Sequence, residues 1–105
     1  MKITRIGLDL AKDVFQVHGV DRDGRKVASR RLRRGEVLKY FGGIDPCVVG
    51  MEACGGAHHW ARELGKLGRQ VRLVSAQFVK PYVKSNKSDA NDAEAICETI
   101  SRPGM

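Results

Sequence analysis

Ile6-Gly7-Leu8-Asp9-Leu10-Ala11-Lys12-Asp13-Val14-Phe15-Gln16-Val17-His18-Gly19-Val20 is the stretch that decides the fold. Ile6, Leu8 and Leu10 alternate with Gly7 and Asp9, the period-two pattern of a strand. Val14 to Val20 reads as a second strand. Asp21-Arg22-Asp23-Gly24 follows as a turn, with a glycine available where φ must be positive. Arg25 to Leu32 pairs back as a third strand, so the chain opens with an antiparallel meander.

Downstream, the pattern changes. Glu36 to Phe41 reads as a short helix closed by Gly42-Gly43, and Asp45-Pro46 breaks the chain. Cys47 to Met51 is a continuous apolar run, as expected of a strand covered on both faces. Between Ala57 and Leu67 the residues Trp60, Leu64 and Leu67 recur at helical spacing, and Gly68 stops the helix. Gln70 to Val74 is a fifth strand. Ala76 to Val83 is a short or irregular helix interrupted at Pro81, and Lys84 to Lys87 is a polar loop. Ser88 is placed to cap a last helix from Asp89 to about Ser101. A meander followed by strand–helix units describes an α/β fold: a mixed five-stranded sheet with flanking helices. Right-handed crossovers set the fourth strand parallel beside the first. This is the ribonuclease H-like topology.

A length of 105 residues suits one domain with one modest core. The 42% hydrophobic and 30% charged fractions belong to a folded chain rather than a disordered one. No apolar run approaches the ~20 residues of a membrane-spanning helix, and Met1 to Arg5 lead straight into a strand, so neither membrane nor signal peptide is expected. Cys47, Cys54 and Cys97 are odd in number and sit in strand or helix contexts. The simpler reading is a reducing cytoplasm, with the thiols as small core hydrophobes.

The net charge is +7. Arg22, Arg25, Lys26, Arg30, Arg31, Arg33 and Arg34 cluster, countered there only by Asp23, and Lys80, Lys84 and Lys87 form a looser group. A phosphate-binding face explains the clustering; a solvated edge strand protected against aggregation is the competing explanation. No aromatic residue is interleaved with these cations, so a stacking platform for single strands is not expected. His18 reads as a half-exposed sheet residue and Trp60 as core. Gly55-Gly56 reads as a tight exit beside Glu52.

Four carboxylates sit oddly. Asp9 lies inside an apolar strand, where an unpaired charge is costly. Glu52 directly follows the apolar fourth strand. Asp89 and Asp92 are spaced i, i+3 and share a helix face with Ile96 and Ile100, so that face turns inward. Singly, each has an ordinary role: Asp9 pairing with Lys12 or holding a turn, Glu52 as a loop residue, Asp89 and Asp92 as residues favoured by the helix dipole. Jointly, they converge, and their repulsion asks for cations. Hard oxygen donors select Mg²⁺, with Mn²⁺ as a substitute. Two such ions about 3.5–4 Å apart suit phosphodiester cleavage or transfer.

Gly7-Leu8-Asp9-Leu10-Ala11-Lys12-Asp13, Met51-Glu52-Ala53-Cys54-Gly55-Gly56 and Lys87-Ser88-Asp89-Ala90-Asn91-Asp92-Ala93 resemble the N-terminal domain of the DEDD transposases of the insertion-sequence-110 group, relatives of the Piv-type invertases. Val74 to Lys80 resembles the family's preceding segment. The resemblance implies a RuvC-like catalytic domain over residues 1–105. In it Asp9, Glu52, Asp89 and Asp92 are the tetrad that binds Mg²⁺, and the partners are DNA, a structured guide RNA and further copies of the chain. It also implies a C-terminal domain with a nucleophilic serine. No serine here matches that nucleophile, so the chain reads as a fragment, and complete strand transfer by it alone is not expected. Arg30, Arg31, Arg33, Arg34, Lys84 and Lys87 are the candidate nucleic-acid contacts. The alternative is a nucleic-acid-binding module without chemistry of its own. A nucleotide-handling domain of the actin type ranks lower, because no glycine-rich turn follows Asp9.

Overall fold

The structure is a computed structural model that describes residues 2–11, 13–83 and 88–102, with the side chain of Asp89 outside the description. Five strands form one sheet: β1 (Arg5–Leu10), β2 (Val14–Val20), β3 (Lys26–Arg33), β4 (Val48–Glu52) and β5 (Gln70–Val74). The helices are α1 (Val37–Gly42), α2 (Ala57–Lys66), α3 (Ala76–Val79) and α4 (Asp89–Ile100). Short 3-10 turns cover Arg34–Glu36 and Lys80–Tyr82. The strand order is β3-β2-β1-β4-β5. β1 is antiparallel to β2 and β2 to β3, while β1 with β4 and β4 with β5 are parallel. The mixed sheet and the pairing of β4 beside β1 are those expected from the sequence. The β2–β3 turn forms because Gly24 takes a φ of 82° and the Asp21 carboxylate accepts from the backbone N–H groups of Asp23 (2.9 Å) and Arg25 (3.0 Å).

The alternation of each strand builds two cores. Ile6 and Leu8 of β1, Phe15 and Val17 of β2, Leu32 of β3, and Val49 and Met51 of β4 pack with Val37 and Phe41 of α1 and Trp60 and Leu64 of α2. On the other face Val74 and the partly buried Val48 pack with Val79 of α3 and with Ala95, Ile96 and Ile100 of α4. The sheet is therefore sandwiched between helix layers. Arg69 ties the ends of α1 and α2 by donating to the backbone carbonyls of Phe41, Ile44 (2.7 Å) and Leu67 (2.8 Å), so this cation belongs to the scaffold.

The α4 layer lies unusually close to β1. A Cβ placed on Gly7 would stand 2.1 Å from the carbonyl oxygen of Ala93 and 2.5 Å from the amide nitrogen of Cys97. On Gly50 it would stand 2.5 Å from the Ile100 side chain. These two glycines let the helix rest on the backbone of β1 and β4. Arg5 Nε donates to Ser101 Oγ at 2.7 Å. The chain order of these contacts sets the polarity: α4 runs antiparallel to β1, its C-terminus over Arg5 and its N-terminus toward Asp9.

Some expectations need correction. His18 is buried, not half-exposed, because α4 packs over β2. Cys47 and Cys97 are buried, with burial pushing both thiols up, Cys97 to about 11, but Cys54 is exposed and not a core residue. Gly55 and Gly56 keep ordinary backbone conformations with open space around them, so nothing in the exit from β4 requires glycine there. The positive φ instead falls on Gly68, at 80°, which ends α2 as expected.

Candidate functional site

The register assembles the acidic residues. β1 and β4 pair in parallel as Gly7 with Gly50 and Leu8 with Met51, so the next pair along the two strands is Asp9 and Glu52. Neighbouring strands lie about 4.8 Å apart. Gly7 and Gly50 both face α4, and side chains two residues apart share a face, so Asp9 and Glu52 both project on the α4 side. Both are half-buried.

α4 brings its N-terminal turn toward the same end of the sheet. Asp9 stands roughly 6.6 Å beyond Gly7 along β1, and the first residue of α4 stands about 6 Å back from Ala93 along the helix. Asp89 is that first residue, so the antiparallel run of α4 carries its backbone toward the Asp9 end of β1; its side chain lies outside the described residues. Asp92 lies in the same turn, half-buried, one helical turn before the buried Ile96. The turn is held by Ser88, whose hydroxyl accepts from the Asn91 N–H at 3.1 Å, with Asp92 N–H donating to the Ser88 carbonyl at 2.9 Å. The sequence expectation of a Ser88 cap holds.

Among the described residues no three His, Cys, Asp or Glu side chains are gathered tightly enough to hold a metal ion as they stand. The donor set nevertheless has the right chemistry. Asp9 and Glu52 on adjacent strands, and Asp92 near the start of α4, offer only hard oxygen donors, which suits Mg²⁺ or Mn²⁺ rather than a softer metal.

A row crosses the sheet from this point. Asp9 pairs with Gln16, and Gln16 with Arg31. Antiparallel partners project to one face, so Glu52, Asp9, Gln16 and Arg31 line up from β4 to the edge strand. Gln16 is buried, and its amide lies 3.4 Å from Ser29 Oγ. Sequence reading missed Gln16, Gly7 and Gly50. A glycine inside an apolar strand was the available sign of close backbone approach.

The arginines do not form one face. Leu32 is buried against α1 and α2, so Arg31 and Arg33 point to the carboxylate side of β3. Arg30 points the other way, its guanidinium 5.3 Å from the centre of the Tyr40 ring. Arg34 stands past the strand, in the 3-10 turn, 5.5 Å from the Trp60 ring and 5.9 Å from Phe15. Aromatic rings do meet these cations, supplied by distant segments rather than by neighbours in sequence. Lys84 and Lys87 lie outside the described residues. A separate cavity of about 340 Å³, lined by Arg5, His18, Lys26, Glu94 and Glu98 among others, sits under the C-terminal half of α4, away from Asp9. No helix among the described residues is long and apolar enough to cross a membrane.

A family model for DEDD transposases of the insertion-sequence-110 type, described as "Transposase", matches residues 6–104. A "Probable family 20 transposase" of Pseudomonas aeruginosa is 63% identical over the whole of this chain and 31% of its own length. The "Transposase for insertion sequence element IS1328" of Yersinia enterocolitica is 48% identical over 98% of this chain and 31% of its own. The chain thus spans less than a third of the length of these relatives. Among solved structures, RuvC of T. thermophilus in complex with a Holliday junction substrate superposes with a TM-score of 0.67 at 14% identity, over 94% of this chain and 92% of that one. The fold is therefore RuvC-like, within the ribonuclease H-like class.

Proposed function

We propose, on the premise that this chain belongs to the DEDD transposase family of the insertion-sequence-110 type, that it is the metal-binding catalytic part of a transposase that cleaves and transfers DNA strands. The observation that carries this reading is the register: Asp9 and Glu52 are neighbours near the ends of adjacent parallel strands, on the face against which α4 packs. Asp9, Glu52, Asp89 and Asp92 would hold Mg²⁺, or Mn²⁺ in its place, as a pair of ions. When bound, such ions lower the barrier to phosphodiester attack by activating the incoming oxygen and stabilising the leaving one.

The chain's own residues do the positioning. Gly7 and Gly50 seat α4, which fixes Asp92 relative to Asp9. Arg31 and Arg33 stand on the same face toward the sheet edge and would orient the phosphate backbone toward the acidic end. Lys84 and Lys87, between the short helical segment and α4, would add contacts to the same strand, and Arg30 and Arg34 would add nucleic-acid affinity. In this reading residues 1–105 are one RuvC-like unit that works on DNA in the cytoplasm, as a multimer and with a structured RNA, and none of its serines is given the role of nucleophile.

Isothermal titration with Mn²⁺ tests the site. Wild type should bind, and Asp9→Asn and Asp92→Asn should lose most of the heat; equal heats in all three would remove the tetrad. The second reading, a nucleic-acid module with structural acids, is favoured by the exposed arginines of β3. It requires DNA affinity to survive Asp9→Asn with Glu52→Gln and metal binding to be absent.

A further inference from the structure

The arginines of the edge strand divide between two faces, and we infer that the chain carries a second nucleic-acid backbone site, built on Arg30 and Arg34, on the face opposite the carboxylates. This rests on the reading that the β3 arginines contact nucleic acid, but not on any metal.

Three observations support it. Arg30 and Arg34 are exposed, and among the described residues neither is paired with a carboxylate. Both guanidinium groups lie within cation–π range of aromatic rings: Arg30 5.3 Å from the centre of Tyr40, Arg34 5.5 Å from Trp60 and 5.9 Å from Phe15, with the exposed His59 ring edge-on to Trp60 at 5.1 Å. A guanidinium held beside an aromatic ring keeps its N–H edge free while losing much of its rotamer freedom, so less entropy is lost when it forks onto a phosphate. Finally, the two pairs cannot share a ligand easily. Arg31 and Arg33 face the carboxylate side of β3, while Arg30 and Arg34 lie on the side of the α1–α2 core that buries Leu32, so the two pairs point away from each other.

A planar fork held beside an aromatic ring matches the phosphodiester group. The occupant is therefore a polyanionic nucleic-acid backbone, from DNA or RNA. The consequence is that one chain holds two segments at once: one led by Arg31 and Arg33 toward Asp9, the other held behind the sheet.

The test uses the 105-residue chain without divalent ions and a short DNA duplex, with native mass spectrometry for stoichiometry and fluorescence anisotropy for salt dependence. Wild type should take up two duplexes. Arg30→Gln with Arg34→Gln should take up one, and so should Arg31→Gln with Arg33→Gln. At low salt, where the weakened event of each double variant is recovered, its salt slope should be smaller by about 1.8, and the other event should keep its wild-type slope. A matched RNA duplex competing against DNA on the Arg31→Gln, Arg33→Gln variant identifies which polymer the rear face prefers. Because Arg34 covers two core rings, Arg30→Gln alone provides a variant that touches only the half-buried Tyr40. It should lower the slope of the second event by about 0.9 and leave the first unchanged. A single duplex at saturation of the wild type, or both variant pairs weakening one and the same event, overturns the inference.

Discussion

Gly7→Ala perturbs the contact on which the geometry of the acidic site depends. The new methyl carbon would stand 2.1 Å from the Ala93 carbonyl oxygen and 2.5 Å from the Cys97 amide nitrogen, both backbone atoms of α4. Ordinary non-bonded contact begins near 3.5 Å, so the helix must retreat by roughly 1 Å, and a gap of that size forfeits a quarter to a half of each dispersion well along its buried side. That side carries Ala93, Ala95, Ile96, Cys97, Thr99 and Ile100, all buried. Overpacking costs about 1–3 kcal/mol when side chains can yield. Here backbone must yield, which puts the loss at or above about 3 kcal/mol, against a gain of less than ~1 kcal/mol from stiffening the unfolded chain. Gly50→Ala meets first the Ile100 side chain, whose Cγ2 would stand 2.5 Å away and can give only through χ1 or a small shift of the helix end, so its loss should be about 1–3 kcal/mol and smaller than that of Gly7→Ala. Urea denaturation followed by circular dichroism measures both. At about 4–8 °C per kcal/mol, Gly7→Ala should also lower Tm by more than 10 °C. A loss for Gly7→Ala below about 1 kcal/mol, or equal to that of Gly50→Ala, would mean that α4 does not rest on the backbone of β1.

Three further outcomes follow from single contacts. Ser88→Ala removes the hydroxyl that accepts from Asn91 N–H and should lower stability by ~1 kcal/mol in chemical denaturation; no change would show that the cap contributes nothing. In native protein an alkylating reagent should label Cys54 quickly and spare the buried Cys47 and Cys97, so mass spectrometry should show one early adduct, and two or three would refute the burial. The two backbone N–H donors, led by that of Arg25, hold the Asp21 carboxyl below the usual carboxylate range. The unfolded chain therefore takes up this proton first as pH falls. Asp21 contributes stability above about pH 4, lost as pH drops through its folded pKa, and Asp21→Asn should flatten the acid limb of a stability-versus-pH profile; superimposable limbs would contradict this.

Local pattern carried the strands and turns into view, because alternation in Ile6–Leu10 and the Asp21–Gly24 turn are local facts. The pairing of β4 with β1 followed from a topological rule rather than from any residue, and it alone brought Asp9 beside Glu52. What sequence could not give was depth. His18 is buried by a helix that lies some eighty residues later in the chain, and Gly7 matters because of Ala93 and Cys97. Likewise, the rings under Arg30 and Arg34 come from Phe15, Tyr40 and Trp60, in three separate elements. No ring stands beside these arginines in sequence, yet rings from other elements lie beside two of them in space; Phe15 and Trp60 are buried, so they offer no platform for stacked bases. The one-face reading of the arginine cluster failed for a related reason: a strand turns consecutive residues to opposite sides.

Anomalous diffraction from a crystal of the chain soaked in Mn²⁺ tests the central claim most directly. The account predicts peaks in direct coordination with the carboxylates of Asp9 and Glu52, at the N-terminal turn of α4, with Asp92 among the ligands. Ordered carboxylates at that site with no anomalous peak, or manganese bound only elsewhere on the surface, would contradict it.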